Sequence, residues 1–464
     1  MRRIVISIAM SAVFSGVAQS QYSIPRPPAA GPQAFHFPKV KSDTLPNGMR
    51  VLTVEDHSVQ VVAVRAVVGV DELSDPAGKE GLYQLMLGAL REGTKSHSAN
   101  ELAEMSARIG TAIAPTAFSA TPAAFEGALE LMGDMLMNPS FEQAGIDRRK
   151  LAQAATFRSV TARPATAARN AFYALLGGRQ DALTRSYFAT EAGVASITRD
   201  DVTSFYTEHV GPRSTTLIIV GDVSPVAALA SARRVFGNWQ GSAARTIASS
   251  ATYAQHATTI HLLDVPGAAT YIEVGGPGPE RNARDASAAE ILGTITTNRM
   301  TAALRERRAL MYSGNMVMSW RAVPRTGEFI GATNVAAPKI DSALTEWIGV
   351  LRGLRATPPT AQEVENAKRA RLGPLWMKTD GPDSVATRIN EAVRDGLPTN
   401  FLERYATGLE GVSVQDVATA ASRYIDLDHL VIVVSGDRKV IEPALRAANI
   451  APVVVIDRDG KEIP

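Results

Sequence analysis

From Asp43 onward the chain alternates between short runs of β-branched residues and longer amphipathic stretches. Leu52 to Val54 and Gln60 to Val70 read as paired strands, with Asp56-His57-Ser58 as the turn between them. Ser98 to Ile109 and Ala124 to Met137 carry apolar residues at three- and four-residue spacing, which predicts two helices. Before Asp43 neither period is present. Residues 21–42 are rich in proline and predict an extended lead-in. Residues 1–20 have the form of a secretory signal peptide: Met1-Arg2-Arg3 is the basic start, Ile4 to Val17 an apolar stretch, and Ala18-Gln19-Ser20 a small-x-small cleavage site. The mature chain is therefore expected to start at Gln21 and to be exported, with the periplasm as its compartment. No later segment holds 18 uninterrupted apolar residues, so no membrane span is expected.

The chain also repeats itself. Thr215-Thr216-Leu217-Ile218-Ile219-Val220-Gly221-Asp222 matches Leu430-Val431-Ile432-Val433-Val434-Ser435-Gly436-Asp437 at an offset of 215, and Asp201-Val202 matches Asp416-Val417 at the same offset. Further upstream, Pro139 and Arg149 match Pro359 and Arg369 at an offset of 220, which a five-residue indel explains. Each half then contains helices that lead into a buried strand ending in Gly-Asp. Strands and helices mixed in a duplicated chain predict an α+β fold of two homologous domains, each a mostly antiparallel sheet packed with helices. The expected divisions are 43–239 and 259–464, joined by a Ser- and Ala-rich linker over 240–258.

Composition narrows the chemistry. None of the 464 residues is cysteine, which removes disulfides, thiolate metal sites and cysteine nucleophiles; the 7 histidines leave few places for imidazole chemistry. A net charge of +2 argues against nucleic acid as the main partner, because phosphate binding needs a concentrated basic surface. No G-x-S-x-G nucleophile elbow is present. Gly88 to Ser96 resembles a phosphate-binding loop but places Thr94 where that motif needs lysine. Gly275-Gly276-Pro277-Gly278-Pro279 reads as a turn. Asp457-Arg458-Asp459-Gly460 starts like a calcium loop, but its closing Glu position lies beyond residue 464.

Three segments carry a family resemblance. Leu45-Pro46-Asn47-Gly48-Met49-Arg50-Val51-Leu52, Asp75-Pro76-Ala77-Gly78-Lys79-Glu80-Gly81-Leu82 and Glu92-Gly93-Thr94 together resemble the opening of the pitrilysin/insulinase (inverzincin) metallopeptidases. The likeness extends over nearly the whole mature chain. In active members of that family, two His four apart on one helical face bind zinc and a Glu between them polarises water, as H-x-x-E-H. Counted back from Gly93-Thr94, those positions here are Gln84, Leu87 and Gly88, none of which supplies a His ligand or a base. The resemblance also implies a third ligand, a Glu some way downstream, yet Arg148 to Gln180 contains no Asp or Glu. No metal site and no cofactor are therefore expected in this chain.

The second half keeps another part of the pattern. Asn298 to Ser313 resembles the family segment in which an Arg and a Tyr, seven residues apart, hold the bound peptide; the matching positions are Arg305 and Tyr312. A guanidinium can grip a backbone carbonyl and a phenol can donate to a developing oxyanion. On charge alone, Arg299, Arg305, Arg307 and Arg308 would read as a solvated basic helix face. The resemblance implies a noncatalytic subunit of a heterodimeric zinc peptidase: a homologous zinc-bearing partner would supply metal and base, and Arg305 and Tyr312 would act in trans on a peptide. The competing expectation is a zinc-free peptide-binding or scaffold protein of the same fold.

Overall fold

The structure, a computed structural model, describes residues 35–161, 163–177, 185, 190–241, 253, 256–265, 269–281, 283–320, 326–457 and 460–464. The expected signal peptide, the lead-in up to residue 34 and most of the linker lie outside them, as does part of the Asp457 to Gly460 segment. In the first half the elements run β1 (Lys41–Thr44), β2 (Arg50–Glu55), β3 (Val62–Val67), α1 (Leu82–Ala89), α2 (Ala99–Ile109), β4 (Ala117–Ala120), α3 (Pro122–Met137), α4 (Gln143–Thr161), α5 (Pro164–Gly177), α6 (Glu191–Ser196), α7 (Arg199–His209), β5 (Thr216–Gly221) and α8 (Pro225–Phe236). The two helices predicted from spacing are α2 and α3. Ser98 starts α2 with a reciprocal capping box to Glu101, which is why the helix begins there.

The second half runs β6 (Thr259–Asp264), β7 (Thr270–Glu280), α9 (Ala286–Met300), β8 (Met311–Trp320), β9 (Thr326–Val335), α10 (Ile340–Ala356), α11 (Ala361–Met377), α12 (Pro382–Arg394), α13 (Phe401–Glu410), α14 (Val414–Tyr424), β10 (Val431–Gly436), α15 (Arg438–Ala448) and β11 (Val453–Ile456). The repeat is visible in the details. Helices α7 and α14 open with capping boxes at Thr198/Asp201 and Ser413/Asp416, the same offset of 215. Strands β5 and β10 are buried at every position. Gly221 closes β5 with φ of +130°, and a Cβ there would fall 2.0 Å from the Val61 carbonyl oxygen, so only glycine fits.

The sheets are mostly antiparallel, in the orders β1-β2-β5-β3-β4 and β11-β6-β10-β7-β9-β8. Two expectations change here. Strands β2 and β3 do not form a hairpin: β5 lies between them, parallel to β2 and antiparallel to β3. The run Leu217-Ile218-Ile219-Val220, apolar on both faces, needs a central place with neighbours on either side, and sequence proximity does not supply it. The Gly275 to Pro279 segment is not a turn but the end of β7. Pairing of β7 with β10 stops at Gly275, so beyond it β7 has only β9 beside it, and the register shifts between Pro277 and Glu280. Proline is tolerated at such an edge and bulge.

Each sheet packs one face on the helices of its own half and receives a helix from the other half on its second face. Helix α5 lies across β7 and β10, where Phe172 and Leu176 pack with Val431, Val433 and Ile330. Helix α12 lies across β3 and β5. Residues 36–464 thus form one compact unit.

Candidate functional site

The segment around the zinc-motif positions is built to hold α1. Asp75 is buried, and its carboxylate accepts from the Gly81 and Tyr83 amides at 2.7 Å each, which satisfies the open amides at the helix start. Burial pushes the Asp75 carboxyl up to about 7, against the pull of those two amides. Gly81 has φ of +99°, and a Cβ there would meet the Gln153 side chain at 2.6 Å. Lys79 bonds Asp201 at 2.7 Å; burial opposes ionisation of Asp201, but Lys79 and Thr198 hold it down to about 2. These residues therefore anchor the start of the helix.

On α1, Gln84 is exposed, while Leu87 and Gly88 are half-buried. The side chain of Arg149 on α4 lies over Gly88, so that a Cβ at Gly88 would be 3.3 Å from its Cδ. Arg149 and Arg148 both pair with Glu92, at 2.5 and 2.7 Å. The place where the family pattern puts its second His thus holds the stem of a cation. A zinc ion does not fit: the donors are missing, and the arginine that fills the space carries the wrong charge. Among the described residues no group of three His, Asp or Glu is placed to hold a metal.

The Arg305 segment is of a different kind. After α9, residues Thr301–Glu306 widen into a π-helical turn, with the Arg307 amide bonded to the Ala302 carbonyl at 3.2 Å. The turn ends on Ala309, whose φ of +48° is unusual for a residue with a Cβ, and the Leu310 amide returns to the Leu304 carbonyl at 2.6 Å. Ala303 and Leu304 sit in the second core and fix the turn, which leaves Arg305 exposed. The four arginines divide. Arg299 pairs with Glu363 and Arg308 with Glu346, at 2.7 and 2.8 Å; Arg305 and Arg307 have no ion pair among the described residues. The bond from Arg299 holds the Glu363 carboxyl down to about 2. Tyr312 lies in β8, where the register with β9 shifts between Met311 and Gly314; its side chain is outside the described residues. Bulges of this kind re-aim side chains next to functional sites. Among the described residues no hydrogen bond or ion pair joins this segment to α1.

Sequence reasoning missed two ion pairs between the halves. Arg169 on α5 reaches Glu273 on β7 at 2.7 Å, and Asp383 on α12 takes Arg65 on β3 at 2.5 Å and the Ser119 hydroxyl at 2.6 Å. Arg65 lies opposite Ile218 and Glu273 opposite Val433, residues that the offset of 215 makes equivalent, so the same position carries opposite charge in the two halves. A signal was present: Arg65 is the single charge in β3, and Glu273 stands inside β7, whose other charge, Glu280, is its last residue.

Comparison with known proteins agrees with this architecture. Residues 196–371, which include Arg305 and Tyr312, match the family model described as peptidase M16 inactive domain. The fold resembles the crystal structure of a peptidase M16 inactive domain from Pseudomonas fluorescens, with a TM-score of 0.76 at 20% identity over 86% of this chain and 98% of that one. It also resembles the first half of the periplasmic protease PqqL from Escherichia coli, with a TM-score of 0.72 at 14% identity over 90% of this chain and 97% of that one. Against whole PqqL the TM-score is again 0.72 at 14% identity, over 90% of this chain but 51% of PqqL, so the chain spans about half of that protein. No curated protein matches the sequence. Residues 196–371 thus resemble a peptidase M16 inactive domain, most of the chain has the fold of such a domain, and H-x-x-E-H occurs nowhere in its sequence.

Proposed function

We propose that this chain is the noncatalytic, substrate-binding subunit of a periplasmic heterodimeric zinc peptidase, and that it presents Arg305 and Tyr312 to a peptide held at a homologous partner's zinc site. The observation that carries this reading is the contrast between the two segments. The space over the motif helix is filled by Arg149, whereas Arg305 is held out, with no ion pair among the described residues, on a strained turn beside the bulge that contains Tyr312. An exposed guanidinium on a fixed turn can bind a peptide carbonyl or carboxylate, and a phenol beside it can donate to an oxyanion. The fold match to the first half of PqqL is consistent with a chain that takes the place of one half of such a peptidase. PqqL is described as periplasmic, which is consistent with the secretory form of residues 1–20.

The test is reconstitution. Alone, the purified chain should take up no stoichiometric zinc and cleave no peptide. Co-expressed with a homologue that carries H-x-x-E-H, it should support cleavage, and Arg305→Ala or Tyr312→Phe should lower turnover by about 10²-fold, the scale of losing one oxyanion donor. Chelator-sensitive cleavage by the chain alone would overturn the proposal. Full turnover in the mixed complex with both substitutions would favour the zinc-free scaffold instead.

A further inference from the structure

A cavity of about 470 Å³ opens in the second half, between the end of β7, the start of α9, the end of α11, α12 and the start of α13. That volume suits a small molecule. Part of its lining is apolar: Phe401, which stacks on Tyr405 with ring centroids 6.1 Å apart, together with Met318 and Leu375. The charge around it is one-sided. Arg281, Arg284, Lys378, Arg388 and Arg404 line it against only Glu290 and Glu391.

Both carboxylates are already engaged. Glu290 is buried and bonded to Arg371 and to the Tyr405 hydroxyl, and Glu391 pairs with Arg388 at 2.6 Å. Arg281 is taken by Asp395 and lies 4.9 Å from the centre of the Phe401 ring. Arg284, Lys378 and Arg404 have no carboxylate partner among the described residues. The Nε of Arg388 is buried and donates to nothing in the structure. The first turns of α9 and α13, neither capped by a side chain, add the partial positive ends of two helices at the rim. Cations that converge on a partly enclosed space without counter-charges repel one another, and an anion relieves that cost.

We propose that this cavity binds a small organic anion with two or more carboxylate or phosphate groups on a flat apolar body. The anionic groups meet Arg284, Lys378 and Arg404, and the body lies against the apolar part of the lining, which includes Leu397 and Leu402. Among the described residues Arg305 is not part of the lining, so the inference does not rest on the proposed peptidase role.

Calorimetric titration of the full chain at low salt tests it, with isophthalate and benzene-1,3-diyl bisphosphate as probes and benzamide as the neutral control. Saturable binding of one or both anions is expected, and the tighter one identifies the group the site prefers. Arg284→Ala, Lys378→Ala and Arg404→Ala should each weaken binding by up to about tenfold, the scale of one charge-assisted hydrogen bond. Lys439→Ala, at an exposed cation on α15, should leave it unchanged. Affinity should also fall as salt is raised. The proposal is overturned if neither anion binds saturably, if benzamide binds as well as they do, or if the single substitutions leave affinity unaltered. All three side chains are exposed, so the variants should fold.

Discussion

The two halves share a plan but differ in how they hold it together. In one, α5 brings Arg169 to Glu273, a carboxylate with no solvent exposure. In the other, α12 brings Asp383, 60% exposed, to Arg65. The positions correspond while the signs are reversed, which shows that the exchange of helices depends on complementarity and not on a particular residue at either end. Depth sets the energetic weight. Burial drives Glu273 up to about 7 even beside Arg169, and one of its oxygens has no hydrogen bond. Asp383 keeps water, and although burial opposes it, Ser119 and Arg65 hold its carboxyl below the usual carboxylate range.

Arg169→Ala is the most severe way to break the first contact, because it strands a buried carboxylate. About 2–3 kcal/mol should be lost in urea unfolding, below the full cost of a broken buried pair because Arg169 is itself 41% exposed. Glu273→Gln, which needs no counter-charge, should cost less than half as much; equal costs would show that charge is not what matters there. Asp383→Ala should cost only about 0.5–1 kcal/mol by the same measurement, as expected of an exposed pair. A loss as large as that of Arg169→Ala would remove the distinction between the halves.

The pH profile sharpens the comparison with a smaller effect. Asp75 and Glu273 have folded values raised to about 7 from 3.8 and 4.5, so the folded state holds more protons than the unfolded one between those limits. Their contribution is complete below the unfolded values and is lost as pH rises through about 7. Asp201 and Glu363, held at about 2, have the opposite sign: their contribution is present above the unfolded values and is lost as pH falls through about 2. Stability should therefore peak near about pH 4–5 and decline toward pH 8, more steeply in Arg169→Ala. A profile that rises from pH 5 to 8 would contradict the assignment of Glu273.

The smallest expected effect concerns the motif helix. Gln84→His with Leu87→Glu and Gly88→His rebuilds H-x-x-E-H, but Arg149 still fills the space and α4 carries no Asp or Glu from Arg148 onward. Equilibrium dialysis should show no stoichiometric zinc uptake. Uptake at one ion per chain would mean that Arg149 gives way and that the site is only dormant.

Much of this was legible from local patterns. The α2 boundary follows from Ser98 and Glu101, and the duplication from Thr215 to Asp222 against Leu430 to Asp437. The failures have two causes. The false β2–β3 hairpin came from treating neighbours in sequence as neighbours in the sheet, and the false turn at Gly275 to Pro279 from reading Gly and Pro as turn signals where they sit at the irregular end of a strand. The cavity was not visible at all, because Arg284, Lys378 and Arg404 are spread over 121 positions and read singly as ordinary surface charges.

What the sequence determined by itself was therefore short-range or repetitive: helix starts, buried strand cores, the duplicated plan, and the absence of ligands at Gln84, Leu87 and Gly88. Capping and periodicity act within one or two turns of chain, so they are written locally. Only the tertiary structure decided which strand lies beside which, that each half lends a helix to the other, that Arg149 fills the old ligand position, and that five cations share one cavity. Those outcomes follow from burial and charge between residues far apart in the chain, where no local pattern records the partner.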